Sequence, residues 1–129
     1  IINLKNQIGL IDNQDALIGN KAYDLASLID DVRYKTSNSL KEKVYNYYLK
    51  TNKKIDSDKF KNDFEILSVL RNLKIIGIFM RLAERDKKKR YKKHIPYAWK
   101  MIDNRMIKNQ VLNNLKLLLA SNFPKFLSK

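Results

Sequence analysis

Apolar positions along the chain fall into a short β-prone stretch followed by five helical patterns. Ile8, Leu10 and Ile11 are β-prone and predict a short strand that ends at Asp12. Gly19 and Asn20 then supply turn chemistry. Over 22–32, Leu25, Leu28, Ile29 and Val32 recur at the spacing of one helix face. Ser39 and Glu42 have capping-box spacing for a second helix, on which Val44, Tyr47 and Tyr48 offer apolar surface. Residues 52–57 read as a loop. A long helical pattern runs from 58 to about 84, and its second half is apolar almost all round, through Leu67, Leu70, Leu73, Ile75, Ile76, Ile78, Phe79 and Leu82. That composition predicts the buried centre of the domain. Gly77 interrupts it, which suits either close helix packing or a kink. Pro96 fits the first turn of a further helix with Trp99 and Ile102 turned inward, and 111–120 forms the last helix before Pro124. The fold class expected is mainly α, with a short β segment at the N-terminus.

Length and composition narrow the picture. A chain of 129 residues suffices for one core and is short for two domains. The absence of cysteine removes disulfides, thiolate nucleophiles and cysteine zinc sites, and fits a cytoplasmic location. The longest apolar run, 75–80, is far below a membrane span. A net charge of +14 would attract nucleic acid. However, 21 Lys, 14 Asn and 14 Ile stand against 6 Ala and 3 Gly, the bias expected when AT-rich codons drive residue choice, so dispersed lysine carries little functional information. The one dense cluster is RDKKKRYKK, 85–93. It reads as a solvated connection between two helices; the alternative is a patch for nucleic acid or a protein partner.

Two blocks carry a resemblance. IDNQDA from Ile11 and AYDLAS from Ala22, within IGLIDNQDALIGNKAYDLASLIDD, resemble the magnesium-binding loop and following helix of the aminoglycoside phosphotransferase and choline kinase superfamily. Downstream, RNLKIIGIFMRLAERDKKKRY, 71–91, is similar to a helix of one bacterial branch, kinases that phosphorylate cell-wall amino sugars such as N-acetylmuramate at the anomeric hydroxyl. The resemblance spans nearly the whole chain and implies the helical C-terminal lobe of a protein-kinase-like fold. On that expectation, residues 1–129 form the C-terminal part of a single phosphotransferase domain. The nucleotide-binding lobe and the H-x-D-x-x-x-x-N catalytic loop would lie upstream, so no catalytic base is expected in this segment, which alone should be inactive.

The resemblance also implies roles and cofactors. Asp12 matches the carboxylate that holds Mg2+ against the phosphates of ATP. Asp15 either orients that ligand or satisfies turn amides, and the structural role is preferred. Asp24 matches an aspartate that braces the catalytic loop. Asn13 and Lys21 depart from the family pattern, which usually has a large apolar residue and a turn former there. The implied substrate is an amino sugar, with Asp31, Arg33, Arg71 and Asn72 as candidate contacts. Arg71 suits an acidic substrate group through its forked donors or, equally, an interhelical ion pair. Tyr23, Tyr91 and Trp99 read as packing residues, and His94 as a residue beside a helix start, with no second histidine or cysteine for a metal site. No specific nucleic acid and no membrane is expected as partner.

Overall fold

Asn20 opens the first helix by two routes. Its Oδ1 accepts from the Ala22 amide at 2.9 Å, while its Nδ2 donates to Asp63 Oδ2 at 2.8 Å, 43 positions away. In the computed structural model the described residues are 2–4, 7–9, 18–107 and 109–127. Strands β1 (Ile2–Leu4) and β2 (Gln7–Gly9) pair antiparallel, with Asn3 opposite Ile8. Helices α1 (Ala22–Ile29), α2 (Asn38–Thr51), α3 (Ser57–Glu84), α4 (Ile95–Met106) and α5 (Asn113–Asn122) follow. A 3-10 turn at Lys89–His94 joins α3 to α4, and another at Gln110–Leu112 leads into α5. The mainly helical class with a short β element at the N-terminal side is as expected. Ile8 lies in β2; Leu10 and Ile11 lie outside the described residues.

Helix α3 is the central element, packing on α1, α4 and the 3-10 turn. At 28 residues it is about 42 Å long, enough to serve two cores. Phe60 and Phe64 in its first half join Ala22, Leu25, Ala26 and Ile29, with Val44, Tyr45, Tyr48 and Leu49 of α2 against them. Val69 and Phe79 join Ile95, Ala98, Trp99, Ile102 and Met106 of α4, with Leu112, Leu119 and Leu127 closing that core. Trp99 stacks on Phe126 at 5.4 Å between centroids and meets Phe123 at 5.1 Å, so the segment after α5 folds back over α4.

Several sequence expectations are corrected. The cap of α2 is Ser37, whose Oγ accepts from the Leu40 amide at 3.3 Å, two residues before the expected Ser39. A Ser at an extended backbone position can present its hydroxyl to the open amides, whereas Ser39 is already inside the helix. On α2 the inward aromatics are Tyr45 and Tyr48; Tyr47 is exposed. The helix expected over 22–32 ends at Ile29; Leu25 and Ile29 are buried on its inner face while Leu28 faces out, and Val32 is buried from the turn that follows. The α3 pattern is buried less completely than its composition suggests, with Leu70 and Met80 exposed. A Cβ built on Gly77 would meet nothing within 4 Å, so no neighbouring helix packs closely there. Pro96 begins α4 as expected, and Trp99 and Ile102 point inward.

Candidate functional site

The C-terminal end of α1 carries the densest polar chemistry in the described structure. Helix α1 stops after Ile29 and the chain turns, which places consecutive aspartates in opposite surroundings. Asp31 faces outward. Its Oδ1 accepts from the Arg33 amide at 2.8 Å and from Arg33 Nε at 3.0 Å, and its Oδ2 accepts from Nη2 at 2.6 Å. This fork-to-fork geometry is the strong form of the charged hydrogen bond. The bonds from Arg33 hold the Asp31 carboxyl below its ordinary value and push the guanidinium up. Arg71, on α3, reaches the same corner, its Nη1 donating to the Asp30 carbonyl oxygen at 3.4 Å. The structure thus brings Asp31, Arg33 and Arg71 together. Asn72 lies beside them in sequence but inside the fold, fully buried, with Nδ2 donating to the Ser68 carbonyl at 2.9 Å.

Asp30 turns inward and is completely buried. Its Oδ1 accepts from Lys41 Nζ of α2 at 3.0 Å and from Arg105 Nη2 of α4 at 3.2 Å. Its Oδ2 accepts from Ser68 Oγ of α3 at 2.6 Å and from Arg105 Nε at 3.0 Å. A buried carboxylate survives only when paired and hydrogen-bonded, and here four helices converge to meet that demand. Asp30 follows Ile29 of one core and precedes Val32 of the other, so the network sits where the cores join. Sequence reasoning selected Asp31 and passed over Asp30. The only available signal was an aspartate on the apolar Leu25–Ile29 face, one too weak to reveal partners 11, 38 and 75 positions away.

The same cations reach a cleft of about 440 Å3 between α2, α3 and α4, with Tyr45, Phe64, Glu65, Met101 and Asn104 also in its wall. Arg105 lies over the Phe64 ring, 4.8 Å from its centroid. Glu65 is buried and holds Asn109 Nδ2 through Oε2 at 3.0 Å. Burial, aided by the Glu65 charge, pushes the Tyr45 phenol up.

The remaining sequence candidates are dispersed. Asp12 and Asp15 lie outside the described residues. Asp24 is exposed in the first turn of α1, where a carboxylate is favoured by the helix dipole. Lys21 occupies the position before α1 without a side-chain cap, Asn20 doing that work. His94 immediately precedes α4 and packs against Phe79 at 5.8 Å. Tyr91 meets Phe79 at 5.2 Å, while Tyr23 is partly exposed at the rim. The basic cluster 85–93 forms the connection between α3 and α4, with Arg85 paired to Asp86 at 2.6 Å and Lys92 to Glu84. Among the described residues no group of three or more His, Cys, Asp or Glu is arranged to hold a metal, and no helix is long and apolar enough to cross a membrane.

Comparison with known proteins gives this arrangement a lineage. The chain is 34% identical over 97 residues to the N-acetylmuramate/N-acetylglucosamine kinase of Caulobacter vibrioides, a match covering 75% of the chain and 27% of the relative. It is 33% identical over 119 residues to the kinase of the same name from Pseudomonas aeruginosa, covering 88% of the chain and 35% of the relative. The Neisseria meningitidis serogroup B kinase is 37% identical over 94 residues, covering 68% and 28%. The chain is homologous to the C-terminal region of these kinases. It spans about a third of the length of these relatives. No family model matches. The matches bear out the amino-sugar kinase resemblance seen in IDNQDA, AYDLAS and the 71–91 block, and make the helical bundle a kinase-type lobe.

Proposed function

We propose that the chain is the C-terminal helical part of a single-domain, ATP-dependent phosphotransferase that phosphorylates an amino sugar, N-acetylmuramate or N-acetylglucosamine, in the cytoplasm. The similarity to three kinases of that name over their C-terminal region carries this reading. Asp12 would hold Mg2+, which would supply positive charge to offset that of the ATP phosphates. The assignment rests on the IDNQDA resemblance.

What the described residues contribute is acceptor positioning. Arg33 donates to Asp31 through Nε and Nη2, which leaves Nη1 outside the pair, and its side chain is 61% exposed. Asp31 fixes the guanidinium plane, so the outward edge is presented in one orientation rather than many. With Arg71 next to it, the corner suits an acidic or oxygen-rich substrate group. The buried Asp30 carboxylate behind it keeps this corner registered on α2, α3 and α4. Asn72, sealed behind Arg71, would support that packing from within.

The test is ATP-dependent transfer to N-acetylmuramate and N-acetylglucosamine by the protein expressed with its upstream coding sequence. The 129-residue chain alone and an Asp12→Ala variant of the extended protein are assayed beside it. Transfer by the extended protein, absent from both comparators, is the expected result. Absence of transfer to either sugar from a folded extended protein overturns the assignment.

A further inference from the structure

Over 81–93, where α3 ends and the 3-10 turn leads to α4, eight lysines and arginines stand against two carboxylates, Glu84 and Asp86. Codon bias does not account for this cluster, because it supplies asparagine as readily as lysine. Residues 81–93 contain no asparagine and hold three of the chain's six arginines. We propose that this turn is a sequence-independent binding site for the phosphate backbone of duplex nucleic acid. The inference is independent of the phosphotransferase reading.

The fold gathers the charge and leaves it unspent. Arg85 pairs with Asp86 and Lys92 with Glu84. Arg81, Lys87, Lys88, Lys89, Arg90 and Lys93 are exposed and form no ion pair among the described residues. Both carboxyls are held below their ordinary values, Glu84 chiefly by the bond from Lys92 and Asp86 by that from Arg85. The charges of Lys87 and Lys89 add to the first, and those of Lys88 and Arg81 to the second, so the cations crowd one corner. The corner is also held in shape. Lys87 takes a φ of 57°, the Lys88 amide donates to the Leu82 carbonyl at 2.9 Å, and Tyr91 packs on Phe79. Left-handed backbone favours glycine or asparagine, yet a lysine stands there. Clustered like charge destabilises a fold until an anion meets it.

The turn's other side chains decide which anion fits. A protein partner needs apolar anchors, and a stable membrane contact needs an apolar signal besides charge. Within 81–93, Ala83 is buried and Leu82 and Tyr91 are half-buried. Arg90 covers the Tyr91 ring, 5.4 Å from its centroid, so that ring is engaged by Arg90 and Phe79 rather than offered to a base. Recognition therefore rests on phosphate, which guanidinium and ammonium groups bind without reading sequence.

Fluorescence anisotropy of labelled duplex DNA of scrambled sequence, titrated with the 129-residue chain over a salt series, tests the site. Saturable binding is expected, equal for a second scrambled duplex and falling steeply as salt rises. Lys87→Asn, Lys88→Gln and Lys89→Gln combined should weaken it at least about tenfold and make the slope of log affinity against log salt shallower by about 2–3. Asparagine suits a positive φ and the other two sites are exposed, so this variant keeps the turn. Lys50→Gln, Lys53→Gln and Lys54→Gln, exposed at and just after the end of α2, remove the same charge and should weaken binding less than about threefold. Equal losses from the two triple variants would assign binding to net charge alone and overturn the proposal. A flat titration or discrimination between the two duplexes also overturns it. So does tighter binding to equimolar phosphatidylcholine and phosphatidylserine vesicles than to DNA, which would assign the turn to a membrane surface.

Discussion

Asp30 and Arg105 are 75 positions apart and joined by two hydrogen bonds, Nε to Oδ2 at 3.0 Å and Nη2 to Oδ1 at 3.2 Å. The carboxylate is completely buried, so its removal strands Lys41 and Arg105 rather than relieving a surface pair. Asp30→Ala is expected to destabilise the chain by about 3–5 kcal/mol, the usual penalty for leaving buried charge unpaired. Lys41→Met, which keeps the apolar stem while Arg105 and Ser68 still serve Asp30, should cost less. Urea denaturation of the two variants checks the order; equal losses would show that the network does not centre on Asp30.

The two serines at the start of α2 separate the observed cap from the one read in the sequence. Ser37→Ala should lose about 1 kcal/mol by removing the acceptor for the Leu40 amide. Ser39→Ala, inside the helix, should be neutral or slightly stabilising, since alanine has the higher helix propensity. Thermal unfolding of both, at matched concentration, decides between the caps.

Gly77 sits on an exposed face of α3 with open space around it. Gly77→Ala should therefore stabilise the chain by about 0.5–1 kcal/mol through lower unfolded-chain entropy and better helix propensity. A raised denaturation midpoint supports the open face. A lowered one would mean that α3 needs the glycine for a bend.

Arg33 lowers the Asp31 pKa from its ordinary 3.8. The folded state therefore binds that proton more weakly than the unfolded chain. The stabilisation is complete above pH 3.8 and is lost as pH falls through the lower folded value. Stability measured against pH for the chain and for Asp31→Asn should differ above this window and converge below it. Added salt should shrink the difference, because Arg33 is largely exposed. Parallel curves would remove the pair from the acid response.

The order of elements was legible in the sequence because periodicity and punctuation are local. Pro96 opens α4, and the inward Trp99 and Ile102 follow from helical spacing, whereas the Asp56 cap of α3 lies in what reads as a loop. Charge was read less well, since a side chain's partners depend on which helices meet. Asp30 and Asp31 are identical and adjacent, yet one pairs locally with Arg33 and the other joins α1 to α2, α3 and α4.

The sequence by itself determined that this chain is a helical lobe and, through IDNQDA, AYDLAS and the 71–91 block, that it resembles amino-sugar kinases. Those features are short-range and survive in the order of residues. Only the tertiary structure decided that Asp30 would be the buried junction, that Arg71 would reach the Asp31–Arg33 corner, and that a cleft would open beside Tyr45. Each depends on packing that brings residues distant in sequence together, and for Asp30 burial then makes pairing obligatory.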